Sequence, residues 1–196
     1  SRALKDSPEI SRELCAKAKE LAKEMNYRPN PFAMSLRKNA PRIIGVIVPD
    51  IVTHFFASIL NGIENMAIAN GYFVIITTSH ESYEHEKRNV ENLVNMRVEG
   101  IIACLSQETT DYSHFAALKD INMPLILFDR VCLTEQFSSV VADGVQSAQM
   151  ATQHLLDNGS KRVAFIGGAN HLDIIKKRKH GYLEALRDNR IPIEKE

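Results

Sequence analysis

Ile43-Ile44-Gly45-Val46-Ile47-Val48, followed by Pro49 and by a periodic stretch over residues 56–70, decides the fold. The first run is apolar almost throughout and rich in β-branched residues, so both of its faces must be buried, as in a strand inside a parallel sheet. The second places Phe56, Ile59, Leu60, Ile63 and Ala67 on one helical stripe, and Gly71 after Asn70 supplies a terminator. The pairing recurs downstream. Strands are expected at 73–77, 100–105, 125–128, 139–141 and 163–166, and helices at 83–97, 112–121, 145–158 and 174–189. Strands alternating with helices predict an α/β chain, a doubly wound parallel sheet covered on both faces. In such sheets ligands bind outside the carboxyl ends of the strands, which makes residues 49–55, 78–82, 106–109 and 129–133 the loops to inspect.

Upstream the pattern differs. Leu14, Ala18, Leu21, Ala22 and Met25 recur at helical spacing, with Ser11 placed to cap and Glu13 in the first turn. Asn26, Pro29 and Pro31 end this helix, and a second helical stretch at 32–38 stops before Pro41. Alone in water it is too short to hold its shape, so something else must order it. Residues 1–42 hold ten Lys/Arg against five Asp/Glu, while the whole chain of 196 residues has a formal charge of zero. A basic front on an acidic body suits a polyanionic partner, although charge alone is equally compatible with a solvated helix face.

A chain that is 44% hydrophobic and 24% charged builds a real core. Its apolar runs fall far short of the roughly 20 residues that cross a bilayer. No charged start, apolar stretch and cleavage site opens it. Cys15, Cys104 and Cys132 are odd in number and widely spaced, which argues against a disulfide framework or thiolate zinc site and fits a reducing compartment. His80, Glu81, Glu84, His85 and Glu86 cluster without HExxH spacing and read as a solvated start of a helix. Gly167-Gly168 lacks a phosphate-loop pattern, and no serine sits in a GxSxG elbow. Neither an enzyme, a cofactor nor a metal is expected.

Several words, in order, resemble the LacI/GalR family of bacterial regulators over almost the whole chain. Ser1-Arg2-Ala3-Leu4 is similar to the end of the family's recognition helix, and Ser7-Pro8-Glu9-Ile10-Ser11 to the turn that follows it. Asn26-Tyr27-Arg28-Pro29-Asn30 with Ala33-Met34-Ser35-Leu36-Arg37 resembles the hinge, although Met34 stands where the family usually has Arg. The β-branched run at 43–48, His54-Phe55-Phe56, Val98-Glu99-Gly100, Leu127-Phe128-Asp129-Arg130 and residues 154–164 continue the likeness into the sensor domain. The resemblance implies a periplasmic-binding-protein-like sheet, with the first lobe at 42–141 and the start of a second at 142–196. Before them would stand the remnant of an all-α helix-turn-helix domain at 1–29 and a hinge at 30–41. It further implies a chain cut short at both ends.

What the resemblance implies for function is a cytoplasmic, dimeric repressor whose grip on operator DNA is set by a small-molecule effector, a sugar or sugar derivative. DNA contacts would fall to Ser1, Arg2, Lys5, Tyr27, Asn30, Ala33 and Leu36. Leu36 would wedge between base steps, its plainer reading being an apolar contact with the sensor. Effector contacts would fall to Pro49, His54, Phe55, Asp129, Arg130 and Lys176. Asp129 accepts from hydroxyls, Arg130 donates and Phe55 stacks, while Phe56 reads as core. Lys176 stands where the family often carries Arg, and an ammonium cannot reproduce a guanidinium's two-pronged contact. The competing reading is a periplasmic-type sugar-binding protein, against which the basic front argues.

Overall fold

The computed structural model describes residues 3–5, 8–25, 27 and 42–193. Two compact units emerge, Ser1–Pro41 and Arg42–Glu196. In the first, a 3-10 turn at Ala3–Lys5 precedes helix α1, Arg12–Glu24. The Ser11 hydroxyl caps α1 by accepting from the Leu14 N–H, and Glu13 pairs with Lys17 one turn on. The expected apolar stripe is open to solvent at Leu14, Leu21 and Met25, and Cys15 alone among the described residues of this helix is buried. The described turn and helix of this unit offer too little surface to cover a full stripe between them. The hinge stretch at 32–38 lies outside the described residues.

The second unit is built on five parallel strands in the order β2-β1-β3-β4-β5. They are β1 (Ile43–Val48), β2 (Phe73–Thr78), β3 (Gly100–Ala103), β4 (Leu125–Phe128) and β5 (Ser138–Val140). Between them run α2 (His54–Ala69), α3 (Tyr83–Asn95) and α4 (Ser113–Asp120), and α5 (Gly144–Asp157) and α6 (Asp173–Asp188) follow. β1, an interior strand, is sealed over its second half, with Val46, Ile47 and Val48 fully buried. Two apolar clusters form, one on each side of the sheet. Phe56 and Leu60 of α2 join Val46, Val48, Cys104 and Phe128 in one. Val90 and Leu93 of α3, and Phe115 and Leu118 of α4, join Ile43, Ile47, Ile101 and Leu127 in the other. Gly45 is required at the second contact, because a Cβ there would sit 2.6 Å from a Leu93 methyl.

The helices from α2 to α6 stop in the same way. A residue with positive φ follows each: Gly71, Arg97, Asn122, Gly159 and Arg190. The next N–H then returns to a carbonyl in the last turn, as Tyr72 does to Ala67 and Ile191 to Leu186. Helices α5 and α6 pack on each other through Gly181, where any Cβ would run into the Val145 carbonyl.

One expected strand does not form. Residues 163–166 are irregular and Ile166 is almost wholly exposed. No described strand lies beside this segment to complete a ladder, so Val163 instead offers its carbonyl to the Tyr182 hydroxyl, and Phe165 stacks on the Tyr182 ring. Among the described residues no helix is long and apolar enough to cross a membrane.

Candidate functional site

With β2 on one side of β1 and β3 on the other, the winding reverses between β1 and β3, and the carboxyl ends of the strands form the rim at which sheets of this kind bind ligands. Asp50 lies on it after β1, Ser79, His80 and Glu81 after β2, Ser106 and Gln107 after β3, and Asp129 and Arg130 after β4. The backbone on this rim is held in an uncommon conformation. His80, Glu81, Asp129 and Leu133 all have positive φ, between 47° and 61°, although none is glycine. Such residues cost on the order of 1 kcal/mol each and persist where their surroundings determine them.

Glu81 and Arg130 supply much of that determination. The guanidinium donates through Nη1 to Glu81 Oε2 at 2.6 Å and through Nη2 to Oε1 at 3.0 Å, and Nη1 also reaches the Leu105 carbonyl. Glu81 Oε2 accepts in addition from the Gln107 N–H at 2.7 Å. Burial opposes the Arg130 charge, but its hydrogen bonds to Glu81 and the field of that carboxylate hold it above its ordinary pKa. The Gln107 carbonyl lies 2.7 Å from His171 Nε2, which joins the segment before α6 to the same rim.

Asp129 is half-buried, its N–H fixed by the Val140 carbonyl. Burial raises its pKa, and the nearby Arg130 and Arg178 oppose the shift. Beside it a small cavity is lined by Val131, Val141, Asp173, Ile174 and Lys177, with Lys177 paired to Asp173 at 2.7 Å.

Beneath the rim lies a second polar cluster. Glu86 is fully buried and accepts from the Ser106 N–H, from Thr109 Oγ1 at 2.8 Å and from His114 Nε2 at 2.9 Å. The Ser106 hydroxyl donates to Ser79 at 2.6 Å. Glu86 is therefore not on a solvated helix start, as its neighbours in sequence suggested: it pins the β3 loop from below. Within the His80–Glu86 stretch the His80 and His85 rings meet edge to face, while the polar partners diverge, with His80 on Thr78 and Glu81 on Arg130. Among the described residues no group of His, Cys, Asp and Glu could hold a metal ion.

The remaining expected residues divide. Phe55 is half-exposed at the start of α2 with its edge against Phe56, which is core, and His54 is exposed beside Ser58. Pro49 is sealed at the top of the core, leaving Ile51, Val52 and Phe55 to face solvent from that loop. Lys176 is exposed on α6. Arg178 is exposed on the same helix and its charge acts on Asp129, while Lys177 lines the cavity beside that carboxylate. In the first unit Lys5 ends the 3-10 turn and Tyr27 is exposed, its N–H on the Ala22 carbonyl. Ser1, Arg2, Asn30, Ala33 and Leu36 lie outside the described residues.

Residues 42–196 match the family described as periplasmic binding proteins and sugar binding domain of the LacI family. The chain is 31% identical to catabolite control protein A of Priestia megaterium, over 98% of its own length and 58% of that protein's. It is 28% identical to the ribose operon repressor of Halalkalibacterium halodurans, over 97% of its length and 56% of the relative's. It thus spans little more than half of these curated relatives. A crystal structure of a periplasmic binding protein/LacI transcriptional regulator from Alkaliphilus metalliredigens, complexed with D-xylulofuranose, superposes with a TM-score of 0.70 at 27% identity, over 78% of this chain and 55% of that one. A parallel sheet wound in the order 2-1-3-4-5, a rim of charged loops at its carboxyl edge and a match covering the whole second unit lead to one assignment: the chain belongs to the LacI/GalR family, through a sensor unit of the periplasmic-binding-protein type.

Proposed function

We propose that this chain is part of a DNA-binding transcriptional repressor whose operator affinity is controlled by a sugar or sugar derivative held at the rim of the sensor sheet. One observation carries the choice of repressor over transport-type binding protein. The likeness to regulators runs over 97–98% of the chain, through the basic front as well as the sensor, whereas the sugar-binding family match starts at residue 42. In this reading residues 1–29 and 30–41 are the DNA-binding portion and hinge, residues 42–141 the first lobe and 142–196 the beginning of the second. Asp129 accepts from ligand hydroxyls, Arg178 and the remaining Arg130 hydrogens donate, and Phe55 covers a ring face. The protein acts in the cytoplasm, is not an enzyme, and pairs as a homodimer on two half-sites. The outer side of α2 and the adjoining edge of β2 expose Met66, Ile68 and Phe73 and are the surface offered to the second copy.

Ligand binding at the rim changes the population of the DNA-competent dimer by its differential affinity for the two states. The test is selection of a binding site from a randomised duplex pool with the full protein, followed by anisotropy titrations at several salt concentrations, with and without sugars. A palindromic site is expected, with affinity falling steeply as salt rises and shifting at least fivefold with one sugar. No enrichment of any sequence, together with salt-independent binding, refutes the repressor reading. Sedimentation at micromolar concentration reads the dimer, and a monomer under those conditions removes it.

A further inference from the structure

Three charges at the rim have a partner of opposite sign. Arg130 faces Glu81 in a two-pronged pair, Lys177 faces Asp173, and the field of Arg178 falls on Asp129. The Arg130 pair differs from an ordinary surface contact in its anchoring. Its arginine side chain is 19% exposed, and the Glu81 carboxylate is held from the other side by the Gln107 N–H. The Glu81 backbone is itself fixed in the left-handed region, its carbonyl accepting from the Glu108 N–H. A carboxylate so placed occupies the face of the guanidinium that a ligand phosphate or carboxylate would take.

We infer that Glu81 is the residue that sets ligand charge at this site: by occupying the Arg130 fork it excludes anionic ligands and restricts the rim to uncharged polyhydroxylated ones. An anion entering here must displace Glu81 and leave that carboxylate beside its own charge, which penalises it twice. An uncharged polyol does neither, and it still finds an acceptor in Asp129 and unused N–H groups on Arg130. The inference rests on the reading that the rim is the effector site. It adds the class of ligand and the residue responsible.

Two titrations decide it, both by calorimetry on the full protein at fixed ionic strength. The first uses inorganic phosphate on wild type, Glu81→Gln, and Glu81→Gln combined with Arg130→Gln. Glu81→Gln is expected to bind phosphate at least about tenfold more tightly than wild type, from the loss of one neighbouring charge in a partly screened setting, and the double variant is expected to lose that gain. Equal affinities in wild type and Glu81→Gln, whether both measurable or both absent, overturn the proposal, as does a gain that survives Arg130→Gln. The second needs no variant. It compares uncharged pentoses and hexoses with their phosphate esters on wild type, and a phosphate ester bound as tightly as its parent sugar overturns the proposal. If no uncharged sugar binds wild type while Glu81→Gln still gains phosphate affinity, the effector reading fails and the role of Glu81 at Arg130 stands.

Discussion

Replacing Glu86 with alanine should be the most damaging single change in the sensor unit outside its apolar core. The carboxylate is fully buried and accepts three hydrogen bonds, from the Ser106 N–H, Thr109 Oγ1 and His114 Nε2. Alanine removes every acceptor at once and leaves three buried donors. A buried donor left without a partner costs about 1–3 kcal/mol, and a water entering the vacated space recovers part of that. Breaking a buried pair by deleting one member typically costs about 3–5 kcal/mol, which agrees with the count of donors. For a unit of this size each kcal/mol lowers Tm by about 2–4 °C, so a fall of roughly 10 °C is expected. Urea melts followed by far-UV circular dichroism at neutral pH, extrapolated linearly, measure the free-energy loss, and a thermal melt reads the fall in Tm. Glu91→Ala, on the exposed side of the same helix, is the control and should stay within about 0.5 kcal/mol of wild type. A loss below about 1 kcal/mol for Glu86→Ala would show that the network does not hold the β3 loop.

Gly181→Ala should force α5 and α6 apart, because the added Cβ meets the backbone of Val145 and Gln149 and neither can yield; a loss of about 2–3 kcal/mol in the same melt is expected, and none would mean the crossing is loose. Burial pushes the Cys104 and Cys132 thiols up to about 12, so neither should react with a thiol reagent at pH 8 until urea is added, and early labelling of either would contradict the packing. Because those folded-state values lie above the ordinary 9.0, the stability they contribute is complete below pH 9 and is lost as pH rises toward 12, a decline that an alkaline series of melts should register. Burial raises the Asp129 pKa, so its ionised form at neutral pH is a cost to the fold that Asn would remove. Asp129→Asn should leave Tm equal or higher while weakening sugar binding about tenfold or more, and a lower Tm with unchanged binding would reverse its assigned role.

Local features were the legible ones. The run at 43–48 announced a doubly buried strand because no solvent-facing position interrupts it, and the helices beginning near residues 54, 83, 113, 144 and 173 followed from period, with Ser11 and Asp143 capping by side chain where they do. Residues 163–166 carry the same apolar character yet stay irregular, since a strand is completed by its neighbours and not by its own composition. The rim was legible as a place and not as a set of contacts. Glu81 and Arg130 are 49 positions apart and Glu86 and His114 28 apart, distances over which no spacing rule operates. Positive φ at His80, Glu81 and Asp129 was equally hidden, because glycine, the usual marker, is absent from all three.

Since all five strands run the same way, each delivers its last residue to one border of the molecule and starts from the opposite one. Substitutions that retune what the protein senses can therefore accumulate along a single margin, while the trunk of Val46, Ile47, Leu93 and Leu127 keeps its packing. An inherited scaffold of this kind changes its chemical vocabulary loop by loop, without having to solve its folding problem again.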